Sequence, residues 1–169
     1  TGVDLITPNR SELQAATSRE VACDRQTVEA ARDIIENCGI GGVLATRGAE
    51  GMSLVMDGEE ALHIPTSARE VYDVSGAGDT VVAAMAVGLA SRMSPHRSAV
   101  LANLSAGIVV AKVGTSVVHP EDLGAALQAG EVRHGEAKIV GSAVAMDRVE
   151  QWRRAGDRIV FTNGCFDLI

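Results

Sequence analysis

Aromatic side chains are nearly absent from this chain, since phenylalanine, tyrosine and tryptophan together make up 2% of its 169 residues. Hydrophobic residues nevertheless reach 46%, so an interior must be built mainly from aliphatic side chains, alanine and glycine. The length and the balance of residue types are those of a globular domain with a real core.

Cysteine is also scarce, and Cys23, Cys38 and Cys165 form no CxxC pair. An odd, widely spaced set argues against a disulfide framework and against a zinc site. The four histidines show no HExxH-type spacing either, so the sequence offers no metal-hydrolase motif. A reducing, cytoplasmic environment is the expectation.

Positive charge is in short supply, with 15 lysine and arginine residues against 22 acidic residues and a net charge of −7. An acidic chain of this kind is a poor partner for nucleic acid or for an anionic membrane surface. No signal peptide is visible, and the longest apolar run, Val81 to Ala90, is far too short to cross a bilayer. A phosphorylated ligand stays compatible with the negative net charge, because local backbone N–H groups can bind phosphate.

Short apolar strand patterns alternate with helical patterns along the chain. The strand patterns cover residues 3–6, 42–46, 52–56 and 61–64, and the helical patterns cover residues 10–16, 25–38, 79–92, 95–112 and 120–128. This alternation predicts an α/β fold in which helices flank a mainly parallel sheet. Asp57-Gly58 predicts a hairpin between the third and fourth strands.

Single residues predict where several helices begin and end. Asp24 is a predicted N-cap, and Gly39 and Gly130 are predicted to follow helix C-termini, where a left-handed backbone is common. The pattern of residues 79–92 is apolar nearly all round, which predicts a buried helix.

Composition divides the chain into two parts. Residues 1–128 contain the α/β pattern, residues 129–144 form a predicted linker rich in glycine, alanine and charge, and residues 145–169 begin a second domain. That second part has an amphipathic helix, Met146 to Arg154, followed by a strand, Arg158 to Thr162. The chain lacks an initiator methionine and stops within a motif, so we interpret it as an internal fragment of a longer protein.

The strongest chemical feature is the run Gly76-Ala77-Gly78-Asp79 between a strand and an apolar helix. Small residues let successive backbone N–H groups face one concavity, and the N-terminal end of the following helix adds positive potential. We expect Gly76, Ala77 and Gly78 to form an anion hole for a transferring phosphoryl group. Asp79 is the candidate catalytic base, which would accept the proton of an attacking hydroxyl.

Two other kinds of phosphate loop are excluded by sequence. A Walker P-loop requires GxxxxGK[ST], which is absent, and a GxGxxG dinucleotide motif would need a glycine where Val81 stands. The alternative to catalysis is an aspartate that only caps a helix after a glycine-rich turn.

Over residues 1–128 the sequence resembles the ribokinase-like (PfkB-type) carbohydrate kinases. The run from Asp73 to Thr80 is similar to the C-terminal signature of that family, whose last aspartate, here Asp79, is the catalytic base. The resemblance implies the C-terminal part of a three-layer sandwich that uses ATP and Mg²⁺. The run from Asn9 to Glu12 resembles the NxxE motif, which implies that Asn9 contacts ATP and Glu12 contacts Mg²⁺ through water. The alternative for these two residues is a helix-start cap.

The same resemblance implies further contacts to the nucleotide. Thr46-Arg47-Gly48 and Gly51 resemble the TxGxxG turn that lines the family's nucleotide site. Asn103 falls where the family often contacts adenine. The alternatives are an ordinary turn for the first group and a satisfied buried amide for Asn103.

A second loop and a cation site are also implied by the resemblance. The run from Lys112 to Thr115 resembles the loop that closes the nucleotide pocket, so Lys112 and Gly114 are candidate ATP contacts. Asp73 and Ser75 are candidates for binding a monovalent cation such as K⁺. The alternative for Asp73 is a turn cap.

The closing residues 159–169 resemble the first strand and loop of the cytidylyltransferase-type nucleotidyltransferases, which have a Rossmann-like fold. A kinase part followed by such a start is the order found in bifunctional ADP-heptose synthases. The resemblance implies that the parent protein phosphorylates heptose 7-phosphate at the anomeric hydroxyl and then adenylylates the product, towards lipopolysaccharide core. A small phosphosugar is then the partner, and a homodimer is compatible with the sequence.

Two other interpretations stay open, namely another PfkB-type sugar kinase and a non-catalytic nucleotide-binding module. The nucleotidyltransferase-like tail disfavours the first, and the intact Asp79 disfavours the second. The sugar-binding half and the lid of the family are not among these residues. We therefore expect the chain alone to be a poor kinase, because positioning and exclusion of water supply most of the catalysis.

Overall fold

The computed structural model describes residues 2–68, 71–133, 142–154, 156 and 158–160, and the chain forms two compact units, residues 1–126 and 127–169. No helix in these described ranges is long and apolar enough to span a membrane. The elements in chain order are α1 (Arg10–Thr17), α2 (Asp24–Cys38), β1 (Gly42–Thr46), a 3₁₀ turn (Gly48–Glu50), β2 (Met52–Met56), β3 (Leu62–Ile64), α3 (Ala77–Ala90), α4 (Pro95–Val110), α5 (Pro120–Arg133) and α6 (Ser142–Arg154).

The three strands form one antiparallel sheet in the order β1-β2-β3. Gly42 pairs with Met56, and Met52 pairs in turn with Ile64. Only residues 47–51 separate β1 from β2, whereas a parallel pair needs a crossover of about a dozen residues or more. The antiparallel pairing corrects the prediction of a mainly parallel sheet for the described strands. The pairing of β2 with β3 confirms the hairpin predicted at Asp57-Gly58.

The segment before α1 supplies the parallel contacts of the sheet. Ile6 bridges Val43 and Asn9 bridges Thr46, both in parallel orientation, and the Leu44 N–H donates to the Ile6 carbonyl at 2.8 Å. The predicted strand at residues 3–6 is therefore limited to isolated bridges. α1 and α2 form the crossover from this segment to β1, as in a βαβ unit.

Helices cover both faces of the sheet, which confirms the three-layer arrangement. Val43 and Val55 pack with buried residues of α1 and α2, while Leu44 and Leu54 pack with buried residues of α3 and α4. Neighbouring residues of a strand point to opposite faces, so β1 contributes to both core clusters. Burial of each such side chain stabilises the fold by about 1.5–3 kcal/mol.

α3 and α4 pack closely because small residues lie at their contact. A Cβ on Gly88 would lie 2.6 Å from the Ser98 hydroxyl oxygen, and that hydroxyl donates to the Ser94 carbonyl at 3.0 Å. The prediction that α3 is buried all round is wrong for the described residues, since Val82 and Val87 are 51% and 62% exposed. The reason is that α3 packs mainly against α4 and buries only one stripe of its surface.

The ends of α2 show one correction and one confirmation. The N-cap is Cys23, which makes no side-chain capping bond, and Asp24 is the first helical residue. The Asp24 carboxylate pairs with the Arg47 guanidinium, so an ion pair replaces the predicted capping bond. Gly39 follows the helix with φ 62° and donates to the Ile35 carbonyl, as the sequence predicts.

The second unit differs from the predictions at two points. α5 continues to Arg133, so Gly130 does not end it; a glycine lowers helix stability without forcing the chain to leave the helix. α6 contains the predicted helix Met146–Arg154. Residues 158–160 form no regular strand, and the rest of that predicted strand, like residues 134–141 of the predicted linker, lies outside the described residues.

We predict that Gly51→Ala destabilises the first unit by about 2–4 kcal/mol. Gly51 has φ 87°, and an added Cβ would lie 2.0 Å from the Ile64 carbonyl oxygen. Gly58 is a matched control, because its φ is 70° but no heavy atom lies within 4 Å of an added Cβ. Gly58→Ala should cost only about 1–2 kcal/mol. Urea unfolding measures both losses, and equal values would contradict the steric argument.

Candidate active site

The segment that precedes α3 is attached to the end of α4. The backbone N–H groups of Tyr72 and Asp73 both donate to the Val110 carbonyl, at 2.8 and 3.4 Å. Carbonyls in the last turn of a helix lack partners within the helix, so Val110 is free to accept both bonds. The glycine loop therefore begins at a defined point on α4.

Asp73 connects the glycine loop with the loop that follows α4. The Ser75 N–H donates to Asp73 Oδ1 at 2.8 Å. Ser75, and to a lesser extent the nearby backbone N–H of Gly114, hold the pKa of Asp73 below its ordinary value of 3.8, because they favour the charged form. Asp73, Ser75 and Gly114 thus lie together, as the resemblance implies.

Gly76 provides the turn from which α3 begins. Its φ of 79° lies in the left-handed region, which glycine adopts without a steric penalty. The Thr80 N–H and hydroxyl both donate to the Gly76 carbonyl, at 2.9 and 2.8 Å. This is the first helical hydrogen bond of α3. The N–H groups of Gly78 and Asp79 come before it and therefore have no acceptor within the helix.

The anion hole is narrower than the sequence predicts. The Ala77 N–H donates to the Val74 carbonyl at 3.2 Å, so it is committed within the loop, and this corrects the prediction for Ala77. The N–H groups of Gly78 and Asp79 remain, at the positive end of α3. A Cβ on Gly78 would meet no heavy atom within 4 Å, and Asp79 is exposed. This geometry can bind an anion beside a carboxylate.

A cavity of about 210 Å³ opens beside this loop. Its lining joins the turn after β1, the N-terminus of α3 and one face of α4, and most of the lining residues are apolar. An apolar lining with a few polar groups suits the flat face of a small-molecule ring. The residues of the predicted site that line the cavity are Thr46, Gly48, Gly51, Ala77, Gly78 and Asn103.

Asn103 lines the cavity with its amide already bonded. Its Nδ2 donates to the Pro65 carbonyl at 2.9 Å, its own carbonyl accepts the Ser67 hydroxyl at 3.0 Å, and the residue is 7% exposed. The alternative of a satisfied buried amide therefore describes its bonds, and the predicted position beside the cavity is also observed.

Sequence reasoning missed the other residues that α4 contributes to the cavity. Ala106, Gly107 and Val110 line it together with Asn103. A Cβ on Gly107 would lie 2.2 Å from the Ser67 hydroxyl oxygen, so glycine allows the segment after β3 to lie against α4. The signal was present in the sequence, because steps of three, four and seven residues from Asn103 stay on one helical face.

The structure does not bring Arg47 to the cavity. Its guanidinium pairs with Asp24 and with Glu50, the latter at 3.5 Å, and Arg10 pairs with Glu50 at 2.7 Å. The bond from Arg47 lowers the pKa of Asp24, and the bond from Arg10 lowers that of Glu50. Arg47 therefore fixes the base of the turn from behind, because two nearby carboxylates offset its buried charge.

Lys112 is also engaged elsewhere. Its Nζ lies 2.7 Å from Asp122 Oδ2 and 3.3 Å from the Val117 carbonyl oxygen. Neither Lys112 nor Gly114 lines the 210 Å³ cavity. The loop that contains them lies instead against the other side of the glycine loop, where a Cβ on Gly76 would be 3.7 Å from the Thr115 methyl carbon.

Asn9 and Glu12 form a capping box at the start of α1. The Asn9 N–H donates to Glu12 Oε2 at 2.8 Å, and the Glu12 N–H donates to Asn9 Oδ1 at 2.9 Å. The alternative of a helix-start cap is thus observed. Asn9 also bridges Thr46, so it lies beside the cavity turn. Among the described residues no three histidine, cysteine or acidic side chains are grouped as a metal site.

A second cavity, of about 480 Å³, lies on the Asp79 side of the glycine loop. Asp79 and Gly76 line it together with Thr115, Ser116 and Val117 of the loop after α4. Gly78 faces the first cavity and Asp79 faces the second. The loop after α4 is therefore part of the surroundings of the candidate base.

Comparison with known proteins identifies the family and the fold. Residues 1–122 match the family model described as pfkB family carbohydrate kinase. Two curated relatives, each called bifunctional protein HldE, come from Paramagnetospirillum magneticum and Rhodospirillum rubrum. Each is 51% identical over 168 residues, which cover 99% of this chain and 34% of the relative. The chain thus spans about a third of the length of these relatives.

Solved structures show the same fold. The ribokinase of Arabidopsis thaliana, solved in complex with ribose and ATP, superposes with a TM-score of 0.69 at 27% identity over 74% of this chain and 41% of that one. The ribokinase of Thermotoga maritima gives a TM-score of 0.66 at 28% identity over 74% and 42%. The family-model match over residues 1–122 covers most of the chain and includes the loop from Asp73 to Thr80. It shows that the chain belongs to the pfkB family of carbohydrate kinases.

Proposed function

We propose that this chain is the catalytic part of an ATP-dependent kinase that phosphorylates heptose 7-phosphate at its anomeric hydroxyl. The observation that supports the proposal best is the position of Asp79, at the start of α3 beside two free backbone N–H groups and between two cavities. The 51% identity to bifunctional HldE proteins supports the choice of sugar through the sequence resemblance.

Asp79 acts as the general base in this proposal. As the anomeric oxygen forms its bond to the γ-phosphorus, the hydroxyl proton passes to the Asp79 carboxylate. The bond from the γ-phosphorus to the bridging oxygen breaks, and ADP leaves with the electron pair. The N–H groups of Gly78 and Asp79, with the positive end of α3, offset the charge on the transferring oxygens.

We propose that the 210 Å³ cavity binds the nucleotide. Its apolar walls would contact the adenine ring, with Asn103 and the face of α4 on one side. Thr46, Gly48 and Gly51 also line the cavity, and the two glycines would let the backbone approach a ligand closely. Gly78 lies at the end of the cavity nearest Asp79, where the phosphates would meet the free N–H groups.

Glu12 fits a magnesium ion through water. One of its oxygens is engaged by the Asn9 N–H, which leaves the other exposed for a water ligand. Mg²⁺ usually keeps several waters and is bound through one or two carboxylates and substrate phosphates. When bound, the ion would supply charge neutralisation for the phosphates. The chain's own part is to keep the Glu12 carboxylate fixed in the capping box.

A monovalent cation such as K⁺ is proposed beside Asp73 and Ser75. Hydrogen bonds lower the pKa of Asp73 below its ordinary value, so its carboxylate is charged at neutral pH and would attract a cation. A cation there would strengthen the connection between the loop from Asp73 to Asp79 and the loop after α4.

Residues 145–169 are proposed as the start of an adenylyltransferase domain, and the homodimer also stays a prediction. The helix α6 agrees with the expected first helix, while the Asn163-Gly164 motif lies outside the described residues. Sedimentation of a protein of the relatives' length would test the dimer.

We predict that Asp79→Asn lowers turnover about 10²- to 10⁴-fold, because the base is lost. The assay measures ADP release in a protein of the relatives' length, with heptose 7-phosphate, ribose, fructose 6-phosphate and adenosine as separate acceptors. ATP affinity should change by less than about two-fold, since the uncharged amide keeps the same shape. Asp57→Asn, in the exposed hairpin turn, is the control.

The acceptor series separates the alternatives for this site. Turnover with heptose 7-phosphate alone supports the proposal in full. Turnover with another acceptor would support Asp79 as the base and would overturn the choice of sugar. Normal ATP binding without turnover on any acceptor would favour a non-catalytic nucleotide-binding module.

We predict that Gly78→Val weakens ATP binding by about ten-fold or more, since the added side chain would occupy the space in front of the free N–H groups. The fold should tolerate it, because no heavy atom lies within 4 Å of the new Cβ. Gly124→Val is the matched control, a helical glycine on α5 with equally open surroundings. Titration calorimetry measures both variants, and equal ATP affinity would contradict the proposed phosphate position.

We predict that K⁺ stimulates turnover and that Asp73→Asn removes most of the stimulation, because the amide lacks the negative charge. Initial rates in KCl and in tetramethylammonium chloride of the same ionic strength measure the effect. A rate that is insensitive to K⁺ in the unchanged protein would refute the cation site and leave the role of Asp79 untouched.

A further inference from the structure

The Lys112–Asp122 ion pair closes the loop that follows α4. Lys112 Nζ lies 2.7 Å from Asp122 Oδ2, and it also donates to the Val117 carbonyl at 3.3 Å. The two side chains are 34% and 28% exposed, so the pair is less screened by water than a fully exposed surface pair. One ammonium group thus joins both ends of the loop at residues 112–117.

Asp122 also belongs to the first turn of α5. Its Oδ2 accepts the His119 N–H at 3.1 Å, the bond with which an acidic residue caps a helix start. The Lys112 ammonium, followed by the His119 N–H, lowers the pKa of Asp122. The ion pair therefore fixes the loop after α4 to the start of α5.

The closed loop contacts the glycine loop at two points. The backbone N–H of Gly114 lies near enough to the Asp73 carboxylate to help lower its pKa, and the Thr115 methyl carbon lies 3.7 Å from the position of a Cβ on Gly76. Thr115 and Val117 also line the cavity that contains Asp79. A shift of this loop would move the residues that set the start of α3.

We propose that Lys112 and Asp122 are positioning residues for Asp79, because their ion pair fixes the loop at residues 112–117 against the glycine loop. Neither side chain needs to touch a ligand in this role, which replaces the expected contact of Lys112 with ATP. The catalytic consequence rests on the proposed function, whereas the effect on the loop does not.

The test of the loop uses hydrogen exchange at the Gly114 amide in the chain itself. Lys112→Met retains most of the aliphatic stem and removes the ammonium, and Asp122→Asn retains an oxygen for the His119 N–H. Each variant should speed exchange of the Gly114 amide by about ten-fold or more, since the loop opens more often. Lys112→Arg should restore slow exchange, because a guanidinium can also pair with a carboxylate.

The matched control is Arg25→Met, which breaks an exposed ion pair with Glu29 on α2. Its side chain is 77% exposed and its pair lies on another helix, so Gly114 exchange should stay unchanged. If Lys112→Met leaves Gly114 exchange at the level of this control, the proposed role of the ion pair is overturned, whatever the protein's activity.

The positioning role is tested by turnover in a protein of the relatives' length. Lys112→Met and Asp122→Asn should lower kcat by about ten-fold, because small displacements of a catalytic group are costly, and should leave the KM for ATP within about two-fold. Lys112→Arg should recover kcat.

Faster exchange of the Gly114 amide with unchanged kcat would overturn the positioning role. A rise in the KM for ATP alone would instead favour a direct contact between Lys112 and ATP. If Asp79→Asn turns over normally, the proposed function fails. The exchange measurement still shows whether the Lys112–Asp122 ion pair fixes the loop at residues 112–117.

Discussion

The two hydrogen bonds from Tyr72 and Asp73 to the Val110 carbonyl connect the two halves of the candidate site. α4 lines the smaller cavity with Asn103 and Gly107, and its last carbonyl fixes the start of the glycine loop. The geometry of the smaller cavity and the position of Asp79 thus both depend on α4. Helix ends are suitable anchors because their carbonyls have no partner within the helix.

The two cations nearest the site form ion pairs with carboxylates of this chain. Arg47 pairs with Asp24 and Glu50 behind the turn after β1, and Lys112 pairs with Asp122 behind the loop after α4. In the described lining of the smaller cavity there is no lysine or arginine. In the proposed function, the phosphates of the nucleotide would interact with backbone N–H groups, with the end of α3 and with metal ions.

The sequence was sufficient for the parts of the structure that local chemistry determines. The Gly76–Asp79 turn, the capping box of Asn9 and Glu12, and Gly39 after α2 follow from short-range rules. The mainly parallel sheet and the buried α3 were expected from strand and helix patterns and differ, because packing partners elsewhere in the chain decide both. The ligand roles of Arg47 and Lys112, which the resemblance implies, stay predictions, although both cations pair with carboxylates of this chain. A residue's own pattern cannot show that Asp24 or Asp122 will lie near a cation. The face of α4 with Gly107 was readable from helical spacing, but only once Asn103 was known to line a cavity.

The most direct test of the central claim is a crystal structure of a protein of the relatives' length with ADP, Mg²⁺, a fluoroaluminate that mimics the transferring phosphoryl group, and the acceptor sugar. We predict that an Asp79 carboxylate oxygen lies about 2.6–3.2 Å from the attacking hydroxyl, with the fluorides facing the N–H groups of Gly78 and Asp79. An Asp79 turned away from the acceptor, or a fluoroaluminate bound away from the start of α3, would contradict the account.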